Sequence, residues 1–415
     1  MEYYRSHDLC CCSLNPELPL PPGKVPDPDE PLIFLFERES ASCGAFFCVS
    51  DPRQLTAKTE DVRWLDPRRL EGPSPDLPRD VLKRINARTL RAVNFRHPRW
   101  EEAARFSLPP AKRKRVHLLA VGDVGGTLLI GLKLLGGDCI RSVGICDLSE
   151  QAVARWVAEM GQVSWPWDYD ALPKVEAVQE DRLFDCDVFL FAATSGVPPV
   201  GTAVEDVRMA QFTANRALIE RFARKAREAS FRGLFLVLSD PVDPLAKAAY
   251  LASNQGTDGT FDGQGLLPEQ IQGFGLGVMN ARAADLARRE PRYRAFLSEG
   301  RTFGPHGQGL VAANSVEHYD DALSRELTER VLEANLKIRE LGYKPYVAPA
   351  LSSGALSLLL TLRGGWHLGS VFLGGVYFGV RNRWTPAGIE TENLDLPDSL
   401  FARLQETESS LAAII

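Results

Sequence analysis

The sequence predicts an α/β fold built on a doubly wound parallel sheet, preceded by a small α+β extension. Two observations point to this class. From residue 116 onward, short apolar runs alternate with segments of helical spacing, which implies right-handed crossovers that cover both faces of a parallel sheet. The composition, 45% hydrophobic and 25% charged residues, is that of an ordinary folded protein rather than a disordered or fibrous chain.

The alternating region supplies the elements of that sheet in turn. Apolar runs predict strands at residues 116–121, 142–146, 188–193 and 234–238. Helical spacing predicts helices at residues 125–135, 150–160 and 209–229. Beyond residue 245 the order breaks into helices and short strands, which indicates a second lobe. The 415 residues therefore divide into an extension, 1–110, a sheet domain, 111–245, and an α+β domain, 246–415.

The extension carries no chemical motif. Seven prolines between residues 16 and 31 predict an extended or polyproline-like segment over residues 1–31. Apolar runs at residues 32–36 and 45–49 flank a Ser/Gly turn and predict a hairpin. Apolar spacing over residues 80–92 predicts a helix. The function of this extension cannot be inferred from these patterns.

Cysteines are concentrated at the N-terminus, where five of the eight lie in the first 48 residues. These are Cys10, Cys11, Cys12, Cys43 and Cys48. A disulfide framework is not expected in a large chain without secretory features. Three adjacent thiols also lack the gapped spacing of zinc ligands, so we assign no metal ligands and favour structural roles. A metal or redox site at Cys10, Cys12, Cys43 and Cys48 is the alternative.

Charge and hydropathy exclude several classes of protein. The net charge of −6 argues against nonspecific nucleic-acid binding, and we expect no nucleic-acid partner. The basic run at residues 112–115 is interpreted as a solvated linker, with a nucleic-acid or targeting role as the alternative. The chain lacks a run of about eighteen apolar residues, so we expect no membrane span. The N-terminus does not resemble a signal peptide, which predicts a cytoplasmic protein.

A glycine motif between the first predicted strand and helix indicates nucleotide binding. Gly122, Val124 and Gly125 lie where backbone N–H groups can approach a pyrophosphate at a helix N-terminus. Asp147 follows the next strand, where a carboxylate can accept hydrogen bonds from ribose hydroxyls. An acid there repels a 2′-phosphate and so favours NAD over NADP. Asp123 inside the loop would repel a pyrophosphate unless its side chain points away.

Three further features can carry proton transfer and anion binding. His306 lies in the sequence Gly-Pro-His-Gly, which is typical of an exposed turn. Its imidazole could transfer a proton near neutral pH. Ser239 and Asp240 follow the fourth strand, on the edge where doubly wound sheets bind ligands. Arg208 and Arg282 are potential bidentate partners of a carboxylate. Each feature alone is also compatible with an ordinary surface turn or salt bridge.

Taken in order, these motifs resemble the lactate/malate dehydrogenase family over roughly 300 residues, from residue 116 to the C terminus. The resemblance includes the glycine loop, Ser-Asp-Pro-Val-Asp in place of Ser-Asn-Pro-Val-Asp, and the 24-residue interval between Arg282 and His306. It implies a Rossmann lobe that binds NAD, an α+β catalytic lobe, and assembly as a homodimer or homotetramer. The implied reaction is hydride transfer between nicotinamide and a 2-hydroxy or 2-oxo acid.

The resemblance also implies a role for each site residue. His306 would exchange a proton with the substrate oxygen, Arg282 would bind the substrate carboxylate, and Arg208 would close over the site. Asn215 and Ser239 would lie beside the cofactor. The segment 193–201 would be the mobile loop, and Ser352 and Ser353 fall loosely where the family has another pocket residue.

Two departures from the family pattern affect the site. The family has an aspartate where this chain has Met279, and an asparagine where this chain has Asp240. We hypothesise that Asp240 takes over the orientation of His306 and stabilises its charged form. Malate is disfavoured because the loop at residues 195–201 contains no arginine. The alternative function is a catalytically impaired, NAD-binding regulatory protein.

Overall fold

The first 107 residues form an α+β unit on a mixed five-stranded sheet. The structure is a computed structural model that describes residues 1–27, 30–39, 42–107, 113–195, 207–343 and 348–415, with the backbone alone at 207–209 and 339. The elements of the first unit are β1 (Glu2–Ser6), β2 (Leu9–Ser13), β3 (Leu32–Phe36), β4 (Phe46–Cys48), α1 (Arg79–Asn86), β5 (Arg91–Asn94) and α2 (Trp100–Arg105). Their strand order is β1-β2-β3-β5-β4.

This unit corrects three expectations about the extension. Residues 1–31 are not simply extended, because β1 and β2 pair antiparallel and bury Tyr4 and all three adjacent cysteines. The strands β3 and β4 are present but do not form a hairpin, since β5 lies between them and pairs with both. The helix predicted over residues 80–92 ends at Asn86, and Arg88 then takes a left-handed φ of 58° before β5.

The rest of the chain is organised around one nine-stranded sheet. Its first part comprises β6 (Lys114–Leu119), α3 (Asp123–Leu135), β7 (Ile140–Cys146), α4 (Glu150–Gly161), β8 (Lys174–Ala177), β9 (Val188–Phe191), α5 (Val207–Glu228), β10 (Leu234–Val237), α6 (Val242–Ser253) and β11 (Ile271–Gly273). Its second part comprises α7 (Leu276–Arg289), α8 (Phe296–Glu299), β12 (Arg301–Phe303), β13 (Val311–Ala313), α9 (Asp321–Glu340), α10 (Ser357–Leu362), β14 (His367–Leu373), β15 (Val376–Thr385), β16 (Gly388–Thr391) and α11 (Asp398–Ala412).

The strand order confirms the predicted α/β class. Six strands are parallel in the order β8-β7-β6-β9-β10-β11. From β6 the chain adds β7 and β8 on one side, and it then crosses to the other side of β6 to add β9, β10 and β11. This is the doubly wound arrangement of a dinucleotide-binding sheet. Every residue of β9 and β10 is buried because helices cover both faces of the sheet, which explains their unbroken apolar sequences.

The sheet continues across the division predicted at residue 245. The strands β11, β14, β15 and β16 extend the same sheet, with the last three antiparallel. The separate two-stranded sheet of β12 and β13 lies between β11 and β14 in sequence, and the connection between these two strands carries His306. The change of pattern at residue 245 therefore marks a change in topology rather than a break in the sheet.

The N-terminal unit packs directly on the larger sheet. The buried guanidinium of Arg91 donates to the carbonyls of Pro386 (2.9 Å) and Ala387 (3.1 Å) in the turn between β15 and β16. One oxygen of the Glu269 carboxylate accepts from the backbone N–H groups of Ala45 (2.8 Å) and Phe46 (3.1 Å). Because Glu269 lies two residues before β11, this contact is at the amino end of that strand.

The structure places the five N-terminal cysteines inside the first unit and the end of the basic run at the start of β6. All eight thiols are unpaired, and the five N-terminal ones are buried in the first unit. Among the residues that the structure describes, the group of three side chains close enough to share a metal ion is Glu299, Glu317 and His318, and no cysteine belongs to it. Lys114 of the basic run is buried at the start of β6, and Lys112 lies outside the described residues.

The helices of the described residues are too short or too polar to cross a membrane.

Candidate active site

The loops that follow β6, β9, β10 and β11 meet at one edge of the sheet because parallel strands all end on the same side. The crevice at this edge, where the strand order reverses, is where doubly wound sheets bind ligands. The glycine loop follows β6, Asp240 follows β10, and Gly275 follows β11. Residues that are far apart in sequence are therefore brought together here.

The glycine loop is shaped for a close approach of backbone to ligand. A Cβ on Gly125 would lie 2.1 Å from the Ala120 carbonyl oxygen, so only glycine lets α3 begin this close to β6. A Cβ on Gly122 would meet nothing within 4 Å, and Gly122 caps α3 without a side-chain hydrogen bond. The uncapped N–H groups of the first turn can therefore bind a phosphate. Val124, in the same turn, lines the cleft described below.

Ala120 occupies the first position of this loop in an unusual conformation. Its φ is 75°, in the left-handed region that L-residues other than glycine rarely adopt. An alanine therefore takes a backbone conformation here that glycine would adopt without strain. The sequence alone did not reveal this strain.

Asp147 ties the end of β7 to the glycine loop. Its Oδ2 accepts from the Val121 N–H and its Oδ1 from the Ser149 N–H, both at 2.9 Å. A carboxylate has about four acceptor positions. The two backbone bonds thus orient Asp147 and leave it able to accept from ribose hydroxyls.

Ser239 and Asn215 form hydrogen bonds with the backbone that follows β9 and β10. The Ser239 hydroxyl donates to the Ala193 carbonyl at 2.7 Å. The Asn215 amide donates to the Asp240 carbonyl and accepts from the Ser195 N–H, both at 2.9 Å. Both side chains are buried. These bonds hold the residues that follow β9 and β10 beside each other, so both side chains act on the backbone at this edge.

The ring of His306 is held by a backbone carbonyl. Its Nδ1 lies 2.8 Å from the Gly275 oxygen. Since a carbonyl only accepts hydrogen bonds, Nδ1 must carry a proton, and the neutral ring then has its lone pair on Nε2. Nε2 lies 3.8 Å from Asp240 Oδ1, beyond hydrogen-bond distance but close enough for charge interaction. Gly275, rather than Asp240, therefore orients the ring.

The backbone of His306 is anchored by a second aspartate. The His306 N–H donates to Asp243 Oδ2 at 3.2 Å. Burial raises the pKa of Asp243 to about 7. Asp243 thus positions the main chain of the histidine while Gly275 orients its ring.

Arg282 is brought to the same cleft by α7. Its guanidinium donates to the Val331 carbonyl at 3.2 Å and contacts the Met279 sulfur at 3.6 Å. Met279 therefore packs against the arginine. Asp123, which could repel a phosphate, is exposed at the start of α3.

The cleft between these residues has a volume of about 70 Å³ and a largely apolar wall. Its polar lining consists of Asp240, Arg282, His306 and Ser353. Its apolar lining includes Val124, Leu238, Val242, Phe274 and Val278. A few charged groups on an apolar wall are typical of a small-molecule site.

Part of the predicted site lies outside the described residues. Residues 196–206 include most of the predicted mobile loop, and the Arg208 side chain is likewise not described. The helix α5 begins at Val207, so Arg208 lies in its first turn rather than before it. The role of Arg208 stays a prediction.

Sequence reasoning gave no role to Gly275 or Asp243, and it did not connect Ser353 with His306. Gly275 and Asp243 stood inside quoted motifs, but their partner His306 lies at least 31 residues away in sequence. When a backbone carbonyl orients the ring in place of a side chain, no particular residue type marks its position in the sequence. Only the packed structure brings these atoms together.

Comparisons with known proteins agree on the fold. No protein-family model matches the chain. The L-lactate dehydrogenase of Corynebacterium jeikeium (strain K411) is 23% identical over 251 residues, which cover 60% of this chain and 73% of the relative. The minor L-lactate dehydrogenase of Enterococcus mundtii superposes with a TM-score of 0.58 at 17% identity, over 73% of this chain and 97% of that one.

A second solved structure, the malate dehydrogenase of Archaeoglobus fulgidus in complex with NADH, superposes with a TM-score of 0.55 at 16% identity. This match covers 72% of this chain and 98% of that chain. This chain is therefore similar in sequence to an L-lactate dehydrogenase and shares the fold of the solved lactate and malate dehydrogenases.

Proposed function

We propose that the protein is an NAD-dependent oxidoreductase that interconverts a 2-hydroxy acid and a 2-oxo acid. The observation that carries the proposal is the Gly275–His306 hydrogen bond of 2.8 Å, which directs Nε2 toward Asp240 and the cleft shared with Arg282. The ring is thereby held in one tautomer without the family's aspartate. This geometry favours a working site over an impaired one.

His306 exchanges the proton. In the oxidation direction Nε2 accepts the proton of the substrate hydroxyl, and the ring becomes an imidazolium with Nδ1–H still bound to Gly275. In the reduction direction Nε2 returns that proton to the substrate oxygen. A positioned acid or base of this kind contributes roughly 10²–10⁴-fold to the rate.

Arg282 binds the substrate carboxylate. A guanidinium matches a carboxylate with two parallel hydrogen bonds, which fixes the carbon that reacts beside the histidine. Its bond to the Val331 carbonyl holds one end of the guanidinium against α9. We further propose that Arg208 approaches the substrate oxygen from the start of α5 and stabilises its developing charge.

The residues of the glycine loop fit a dinucleotide. The open backbone at Gly122 and the uncapped first turn of α3 suit a pyrophosphate, and Asp147 retains acceptor positions for a ribose. The nicotinamide supplies or accepts the hydride when the cofactor is bound. Because a carboxylate at Asp147 repels a 2′-phosphate, NAD is the preferred form. Asn215 and Ser239 support the cofactor by holding the backbone after β9 and β10.

The preferred substrate has a short, uncharged side chain. Asp240 is a negative charge beside Nε2, so a second substrate carboxylate near it would be repelled. The apolar wall and small volume of the cleft favour the same choice. Malate and other dicarboxylates are therefore disfavoured.

The test is the loss of NADH absorbance with a panel of 2-oxo acids, with His306→Gln as the inactive variant. We expect turnover with monocarboxylic acids and a fall of at least about 100-fold in kcat for the variant. Saturable NADH binding without turnover on any acid would favour the regulatory alternative. Absence of NADH binding would refute both functions. Gel filtration with light scattering would test the expected homodimer or homotetramer.

A further inference from the structure

We propose that Ser353 is a positioning residue for His306, acting through the helix cap and carbonyl of Gly275. The proposal rests on the proton-transfer role given to His306 above. Ser353 is buried in a single π-helical turn, Ser352–Leu356, which precedes α10. Such turns are rare and are found frequently at functional sites.

The need for Ser353 begins with Gly275. This residue is the N-cap of α7, and a Cβ there would lie 2.5 Å from the Cβ of His306. The position must therefore be glycine for the histidine to pack against it. Glycine has no side chain with which to cap the first turn of α7.

Ser353 supplies the missing cap from another part of the chain. Its Oγ accepts the N–H of Val278, the third residue of α7, at 2.8 Å. This is the bond that a serine at the N-cap position would make with its own side chain. A Cβ on Gly277 would lie 2.6 Å from the Ser352 carbonyl oxygen, so the π-helical turn sits directly against the start of α7.

The same hydroxyl also donates to the Gly275 carbonyl, at 2.7 Å. That carbonyl thus accepts two hydrogen bonds, one from Ser353 and one from the His306 Nδ1–H. A carbonyl oxygen has two lone pairs, so both are used. Ser353 fixes the direction of the carbonyl, and the carbonyl fixes the tautomer and orientation of the ring.

Loss of the hydroxyl should therefore affect proton transfer more than substrate binding. In Ser353→Ala, the Gly275 carbonyl can turn and the Val278 N–H loses its acceptor. We expect kcat to fall about fivefold to tenfold, the effect of one hydrogen bond of ordinary strength. The KM for the oxo acid should stay within about twofold, since Arg282 is untouched.

A direct measurement on the ring separates positioning from general damage. Nitrogen NMR of the uniformly labelled full-length protein, with His306 assigned from the spectrum of His306→Gln, reports which ring nitrogen carries the proton. We expect the Nδ1–H form to dominate in the native protein and the Nε2–H form to grow in Ser353→Ala. Ser353→Thr, which keeps the hydroxyl, should restore both the tautomer and kcat.

The matched control is Ser357→Ala at the start of α10, because this buried serine lines a different cavity from that of His306 and its hydroxyl donates to the Ser352 carbonyl. It should leave kcat and the tautomer at native values. A native kcat and native tautomer in Ser353→Ala, or an equal loss in Ser357→Ala, would overturn the proposal. If Ser353→Ala fails to fold, Ser353→Cys keeps the side-chain volume but has a weaker hydrogen-bond donor. A native tautomer in Ser353→Cys would also contradict the proposal.

Failure of the proposed function gives a different result. If the native protein turns over no 2-oxo acid, the oxidoreductase proposal fails by itself. The tautomer measurement does not require turnover, so it still decides whether Ser353 sets the state of the ring.

Discussion

Removal of the Asp240 charge should slow reduction of the oxo acid. Asp240 Oδ1 lies 3.8 Å from His306 Nε2, where its charge would stabilise the imidazolium that the proposed mechanism uses as proton donor. Two unit charges about 4 Å apart interact by about 1 kcal/mol in bulk water and about 4 kcal/mol at the effective dielectric of a protein surface. The Asp240 side chain is 49% exposed, so the lower figure applies.

An interaction of about 1 kcal/mol corresponds to roughly a fivefold effect on an equilibrium or a rate. Asp240→Asn keeps the shape of the side chain and removes the charge. We therefore expect kcat for reduction at mildly alkaline pH to fall about fivefold, measured by steady-state NADH oxidation at saturating substrate. Added salt should reduce the difference between native and variant proteins, because a half-exposed pair is screened.

The control is Asp285→Asn, which removes an exposed carboxylate paired with Arg289 on α7 and outside the cleft. It should leave kcat unchanged. A native or higher kcat in Asp240→Asn at low ionic strength would refute the electrostatic role of Asp240. The orientation of the ring by Gly275 would stand, since that bond does not involve the aspartate.

Four further changes test other parts of the structure. Arg91→Met removes the buried donor to Pro386 and Ala387, so the free energy of unfolding in urea should fall by about 3 kcal/mol. Ala120→Gly relieves the strain of a φ of 75°, and after the entropy cost of glycine is subtracted it should raise the free energy of unfolding by about 0.5–1 kcal/mol. The affinity for NADH, measured by fluorescence titration, should stay unchanged. Burial raises the pKa of Glu269 from 4.5 to about 8; the folded protein therefore keeps a proton that the unfolded chain releases, and stability should fall as pH rises through that range. Glu269→Gln should flatten this pH dependence in urea unfolding, and an equal slope in both proteins would contradict the assignment. Asp147→Asn should weaken NADH binding and reduce the preference for NADH over NADPH, measured by calorimetry; an unchanged preference would show that Asp147 does not face the ribose.

Much of the fold follows from local sequence. The strands β6, β7, β9 and β10 were predicted because a sheet covered on both faces needs unbroken apolar runs. The short strand β8 was missed because it is an exposed edge with a mixed sequence, Lys174–Ala177. The strand β5 was taken as the end of a helix, since four residues carry too little periodicity to separate the two structures.

The site was predicted in part for the same kind of reason. Residue types with distinctive chemistry, such as His306, Arg282 and Asp147, can be found from motif and spacing. The groups that orient them cannot, because Gly275 acts through its carbonyl and every residue has one. Asp243 and Ser353 are polar residues of ordinary type, and their roles depend on which atoms of other segments they meet.

The sequence by itself determined the α/β class, the glycine loop between β6 and α3, the position of the acidic residue after β7 and the set of charged residues at the carboxyl edge. These depend on periodicity and residue type, which are local properties. Only the tertiary structure decided that the N-terminal unit packs on the main sheet, that Met279 contacts Arg282, and that a carbonyl capped by Ser353 holds His306. Those outcomes depend on close packing between distant segments, where a Cβ or a single hydrogen bond determines which atoms can meet.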